Sequence, residues 1–277
     1  MFCFPCALVF GAAALAQASG QLVVQNQSNK IYRGLNITSS SGEDCVVIMD
    51  STNITIEDSQ IGPCGGNGVN ISGGSGIQIY DNYIHPETHQ NACCDYNDGV
   101  LAQNTAQVAI QGNVIAYGES NVEAPQNVNG LTVIGNFLLN PRGGDNSRGQ
   151  NVQVWNSSNV VVLNNYTLSS RDRAKYLYPD IQEDSINFGF GSGFVAILNY
   201  IRGGHSPSGC GLIADEAANS VLLVGNQLLD TGQCGIGIAS GTNQLIDHNK
   251  ILNRTPVNGG GNVAIYGGTN TRRHAAQ

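Results

Sequence analysis

Arg148, Lys175, His205, Asp184 and Asp98 are the side chains of this sequence best suited to proton transfer, and they do not stand alone. Arg142, Arg171 and Arg173 lie among them and offer planar donors to an anionic group. Trp155 and Tyr176 offer flat faces for stacking. Asp145 and Asp180 are oxygen donors of the kind that ligate Ca²⁺, although no EF-hand-like or repeated calcium motif surrounds them. Cations placed beside carboxylates can neutralise a bound anion and lower the cost of removing a neighbouring proton, with Arg, Lys, His or Tyr as base or acid. A different chemistry needs two carboxylates, one protonated and one ionised, across a glycosidic bond, and Asp98, Asp184 and Glu183 are candidates for it.

What positions these residues is a repeat. Ile77-Gln-Ile79-Tyr-Asp-Asn82-Tyr-Ile84 recurs as Val108-Ala-Ile110-Gln-Gly-Asn113-Val-Ile115 and Leu131-Thr-Val133-Ile-Gly-Asn136-Phe-Leu138, with degenerate copies up to Gln244–Ile251. From Asn82 through Asn113, Asn136, Asn165, Asn199 and Asn226 to Asn249 the steps are 31, 23, 29, 34, 27 and 23 residues. A fixed minimum with variable excess is the mark of a solenoid that takes inserts between otherwise equal turns. Shorter apolar units, such as Val100-Leu-Ala102, Val152-Gln-Val154 and Ile186-Asn-Phe188, fall between the Asn-bearing ones. Alternation turns one set of side chains inward, and stacking joins these sets into a continuous core. The recurrent Asn reads as an amide ladder at a bend.

Inserts are expected after each Asn-x-Ile unit, at residues 85–98, 116–127, 139–151, 169–184 and 202–210, all on one side of successive coils. They carry most of the central charge, which predicts a charged groove built from loops on a rigid scaffold. Asp98 and Asp184 stand out because each immediately precedes a short strand, where direction is better fixed than at a loop tip. They lie three coils apart, about 14 Å at ~4.8 Å per coil, too far to act alone as a glycosidase pair. Cys210 and Cys234 occupy matching places before adjacent short strands and are the expected disulfide.

The repeat resembles that of the pectate-lyase-like superfamily, over residues 21–268. The resemblance implies an all-β fold, a single-stranded right-handed parallel β-helix of about eight coils. It also implies polysaccharide chemistry: lyases, polygalacturonase-type hydrolases, uronate epimerases, esterases and non-catalytic adhesins share the architecture. The Asp-Pro-His-Asp, Arg-Ile-Lys, Gly-His-Gly and Trp-x-Asp-His motifs of its enzymes are not matched. The cation-rich inserts favour a lyase or epimerase acting on an acidic extracellular polysaccharide. The alternatives are a polygalacturonase-type hydrolase and a binding solenoid or adhesin.

Composition completes the expectations. Net charge is −8 with 12% charged residues and 36 glycines, so no basic stripe exists to neutralise phosphates, and nucleic acid is excluded as a partner. Residues 1–18 hold an apolar run followed by small residues, the pattern of a signal peptide, which predicts secretion; no later stretch is apolar enough to span a membrane. Residues 269–277 are expected to form a flexible tail. Without a capping helix the end rungs would be open, which favours a cover or an oligomer.

Overall fold

The computed structural model describes residues 20–86, 97–142, 149–169, 182–204, 206, 208–254, 261–265, 267–269 and 271–273. Over these residues the chain is a parallel β-helix with strands and turns and no helix. Each coil carries three strands, as in Val152–Trp155, Ser158–Leu163 and Tyr166–Ser169. The first two strands of every coil belong to one 18-stranded hydrogen-bonded sheet and the third to a nine-stranded sheet. The two coils at Val100–Gln111 and Val122–Ile134 run through the first corner without a break. The leader-like residues 1–18 lie outside the described residues. At the other end Thr269 bridges to Thr242 and Arg272–Arg273 pair with Leu245 and Ile246, so the stack runs past residue 268.

The corners explain the composition. In coil after coil the residue just before the repeated Asn position has positive φ: Asp58, Asp81, Gly112, Gly135, Asn164, Leu198, Gly225 and His248 lie between 51° and 70°. This left-handed region is cheap only for Gly and tolerable for Asn and Asp, whose short polar groups bond locally. Leu198 is the misfit, being aliphatic, 58% exposed and at φ 57°. Leu198→Gly is expected to stabilise the fold by about 1 kcal/mol, read by urea unfolding, because the strain is removed and little packing is lost. An unchanged midpoint would show that the backbone there is not strained.

Inside the bend the Asn ladder forms as the sequence implies. Asn82, Asn113, Asn136, Asn165, Asn199, Asn226 and Asn249 are all at most 3% exposed. The Oδ1 atom of each of Asn113, Asn136, Asn165, Asn199, Asn226 and Asn249 accepts from both the backbone N–H and the Nδ2 of the preceding Asn, at 2.9–3.1 Å. The ladder is architecture rather than a ligand site. The core below it is a column of fully buried Val, Ile, Leu and Ala, widened where Phe188 and Phe194 stack with centroids 4.9 Å apart. Cys210 and Cys234 are Cα partners and are disulfide-bonded, as is the pair Cys45–Cys64.

Candidate functional site

The first strands of the coils are parallel and in register, so their outward positions form rows. Val100, Val122, Val152, Ile186 and Leu212 are successive Cα partners. One residue later the outward row reads Leu101, Glu123, Gln153, Asn187 and Ile213. Two residues before the strands an edge column reads Asp98, Ser120, Gln150, Asp184 and Cys210. Asp98 and Asp184 therefore do sit at the starts of strands, three coils apart.

Part of their role is structural. Asp98 Oδ1 accepts from the Ser120 N–H at 3.0 Å, and Asp184 Oδ1 accepts from the Cys210 N–H at 2.7 Å. The column continues upstream with Asn67 Oδ1 accepting from the Asp98 N–H. Each such side chain satisfies the first backbone donor of the next coil. Asp184 also accepts from Asn187 Nδ2 at 3.1 Å and lies beneath the groove rather than on its surface.

The groove has a volume of about 690 Å³ and runs along this face, lined by Asp98, Glu119, Glu123, Glu183, Asp215 and Glu216 together with Gln103, Gln150, Gln153, Trp155 and Asn187. Its acids fall into two groups. Asp98, Glu119 and Glu123 converge at one end, and burial, with Glu123 and Glu119 adjoining, holds the Asp98 carboxyl well above the ordinary carboxylate range. Glu123 is pushed up to about 7, by burial first and by Glu119 second, while its hydrogen bond to Asp98 opposes the shift. This pair shares a proton near neutral pH, since two buried carboxylates in contact cannot both ionise. Glu183, Asp215 and Glu216 form the other group, with the Gln150–Gln153–Trp155 coil between them.

The sign of the pH dependence follows. The folded-state pKa of Glu123 lies above its unfolded value of 4.5, so folding takes up protons between about 4.5 and 7 and stability falls as pH rises through that window. The melting temperature is expected to be higher at pH 5 than at pH 8, by a difference on the order of 1–3 kcal/mol in stability. Glu123→Gln should flatten that slope in the same melts. An unaltered slope would remove Glu123 as its source.

Trp155 ends the strand Val152–Trp155, and its Cα partner in the next coil is Gly189. The indole lies over Gly189, where a Cβ would stand at ordinary contact distance of 3.4 Å, and Phe190 packs against the ring with centroids 5.2 Å apart. Gln150 Oε1, Asn187 Oδ1 and Trp155 Nε1 are buried polar atoms on residues lining the groove and lack a protein partner. Buried polar atoms are ordinarily bonded, so this set calls for a ligand or water that both donates and accepts.

Of the residues singled out by sequence, Asp98 and Trp155 meet in this groove, and Asp184 underlies it. Arg142 is buried, and its backbone N–H donates to Gly118 O at 2.8 Å. Arg148, Lys175, His205, Arg171, Arg173, Tyr176, Asp145 and Asp180 lie outside the described residues. Among the described residues no three His, Cys, Asp or Glu side chains are grouped to hold a metal ion. Glu119 and Glu123 were missed because residues 116–127 were read as an insert, whereas they include the start of the strand Val122–Ile134. Two signals reveal it: Val122-Glu-Ala124 copies Val100-Leu-Ala102, and the step from Asn113 to Asn136 is the minimal 23 residues, which leaves no room for an insert.

Fold and groove define the class: a right-handed parallel β-helix protein with an open, carboxylate-lined groove on its first sheet. The model of the right handed beta helix region family matches residues 20–121, in keeping with the resemblance to the pectate-lyase-like superfamily. Among solved structures, the surface adhesin PfbA of Streptococcus pneumoniae is similar at a TM-score of 0.62 and 11% identity, over 88% of this chain and 62% of that one. The catalytic unit of a GH87 α-1,3-glucanase from Streptomyces thermodiastaticus gives 0.60 at 11% identity, over 90% and 49%. A DFA-IIIase from Arthrobacter chlorophenolicus A6 gives 0.52 at 15% identity, over 91% and 62%. The chain thus spans about half to three fifths of these proteins. No curated protein matches it.

Proposed function

We propose that this is a secreted, carbohydrate-active β-helix protein that hydrolyses a glycosidic bond of a polysaccharide in the carboxylate-lined groove. The observation that carries this reading is the buried Asp98–Glu123 pair, which retains a proton near neutral pH, set against the Glu183 carboxylate on the far side of the Gln150–Gln153–Trp155 coil. Glu123 lies in the coil that begins at Val122 and Glu183 stands three residues before Ile186, two coils on, an offset of roughly 10 Å along the stack at ~4.8 Å per coil. That offset is nearer the roughly 6.5–9.5 Å between the carboxyls of an inverting glycosidase pair than the roughly 5 Å of a retaining one. The Asp98–Glu123 carboxyl protonates the leaving oxygen, Glu183 takes a proton from the attacking water, and Trp155 carries the sugar ring. Asp184 acts through Asn187, holding the amide that faces the sugar. The disulfides Cys45–Cys64 and Cys210–Cys234 and the leader-like residues 1–18 support secretion.

The lyase or epimerase reading on an acidic polysaccharide draws support from Arg148, Arg171, Arg173, Lys175 and His205. The inserts expected to bear them, residues 139–151, 169–184 and 202–210, include the edge-column residues Gln150, Asp184 and Cys210. Against it, the groove lining contains six acids and no lysine or arginine among the described residues, a field that repels a uronate. The same inserts hold Asp145 and Asp180, the candidate Ca²⁺ ligands, and association through the end rungs would be a separate property.

The test incubates the full chain with a panel of neutral, amino and acidic polysaccharides, with and without Ca²⁺. Hydrolysis is expected to yield new reducing ends of inverted anomeric configuration with no absorbance near 232 nm. Growth of that absorbance on a uronate would establish the lyase instead. C5 proton exchange without cleavage would establish the epimerase, and binding without any reaction would establish the adhesin-like role.

A further inference from the structure

We propose that the groove selects a cationic amino sugar, a 2-amino-2-deoxyhexose unit that is not N-acetylated, seated on Trp155 with its ammonium facing Asp215 and Glu216. The inference rests on the groove being a carbohydrate site. It adds the class of sugar.

Three observations converge on it. The first is charge. Asp215 and Glu216 line the same groove as Glu183, Glu119, Asp98 and Glu123. The acids at the Asp98 end relieve their repulsion by keeping a proton, whereas Glu216 is exposed and Asp215 half-buried, and these two are placed to meet a cation from solvent. A neutral sugar gives this end of the groove no electrostatic return, and a uronate is opposed by it.

The second is the unmet hydrogen bonding. Gln150 and Asn187 are each 2% exposed, and the unpartnered atom of each is an acceptor oxygen. The orientation of Asn187 is set by its Nδ2, which donates to Asp184 Oδ2, so Oδ1 faces away from that bond. Two buried acceptors need donors. A carboxylate supplies none, a hydroxyl one and an ammonium three.

The third is placement. Asp215 donates its N–H to Phe188 O at 2.7 Å, which puts it in the row of Trp155 and Gly189, one coil beyond the glycine. With no side chain on Gly189, the indole reaches toward the Asp215 coil across bare backbone. An ammonium there meets an aromatic face and two carboxylates together, an arrangement in which cation–π attraction adds to charge.

The test is calorimetric binding at pH 6 to the full chain carrying Glu123→Gln, which removes the proposed acid while leaving the Asp215 end unchanged. The probes are a glucosamine hexamer, its fully N-acetylated counterpart and an oligogalacturonate. The glucosamine hexamer is expected to bind at least 10-fold more tightly than the N-acetylated one. That advantage is expected to shrink between 50 and 500 mM NaCl, and the oligogalacturonate should be weakest. Adding Asp215→Asn and Glu216→Gln should erase the advantage without lowering affinity for the N-acetylated hexamer, with circular dichroism confirming the fold. Equal or tighter binding of the N-acetylated hexamer or the oligogalacturonate, or an advantage that survives the double substitution, would overturn the inference. Hydrolysis is judged separately. Reducing ends released from a neutral polymer alone would leave the hydrolase and remove the amino-sugar preference, and selective binding with no cleavage by the unmutated chain would do the reverse.

Discussion

Glu123→Gln is expected to lower the turnover of a cleaved polysaccharide by about 10²–10⁴-fold, the usual loss when a positioned general acid is removed. The amide keeps the shape of the side chain and can still hydrogen-bond to Asp98, so the groove should remain intact and KM should change little. The pH profile distinguishes this from a structural lesion. In the unmutated protein the proton that leaves with a pKa of about 7 belongs to the Asp98–Glu123 pair, so activity should fall on the alkaline side of that value. In the variant the remaining proton belongs to Asp98 alone and the alkaline limb should move. A variant with lower turnover and an unmoved limb would show that the pair is not the acid. The Glu183→Gln variant should also lower turnover, because it removes the base for the attacking water.

Asn136→Leu is expected to cost about 3–5 kcal/mol in urea unfolding, although it adds apolar bulk to a buried position. Asn136 Oδ1 accepts from the Asn113 N–H and Nδ2, and its own Nδ2 donates to Ile110 O at 2.9 Å and Asn165 Oδ1 at 2.9 Å. Leucine leaves those donors and acceptors buried without partners, at about 1–3 kcal/mol for each group that water cannot reach. The effects on adjacent rungs should be non-additive, so Asn136→Leu with Asn165→Leu should cost less than the sum of the two single changes. A loss below about 1 kcal/mol would mean that the bend rearranges around the gap and that the ladder is not a cooperative unit.

The coils were legible because their signal is local and repeated. Apolar alternation in Val108-Ala-Ile110 and the Asn three residues later recur often enough to give the register, and that register places Asp98 and Asp184 three coils apart, as the strand pairing does. The pairing of Cys210 with Cys234 followed from the same alignment. Charge density, however, points to the inserts and not to the strand itself. Glu123, the acid that meets Asp98, lies at an outward strand position flanked by Val122 and Ala124, where its single charge is diluted by apolar neighbours.

What the sequence determined alone is therefore the architecture: parallel coils of 23-residue base length, the polar ladder at the bend and the rows along which outward side chains align. Periodicity supplies this because each coil meets only its neighbours, so a pattern readable in one turn dictates the next contact. Only the tertiary structure decided which of the aligned acids meet and which keep a proton. Asp98 and Glu123 are 25 residues apart in sequence, and the rise of the Glu123 pKa comes from burial and from Glu119, neither of which a residue's own neighbours reveal. Asp98, first seen as one of several charged residues before a strand, is thereby divided between two tasks: one oxygen holds the Ser120 N–H of the next coil, and the carboxyl shares a proton with Glu123 in the groove.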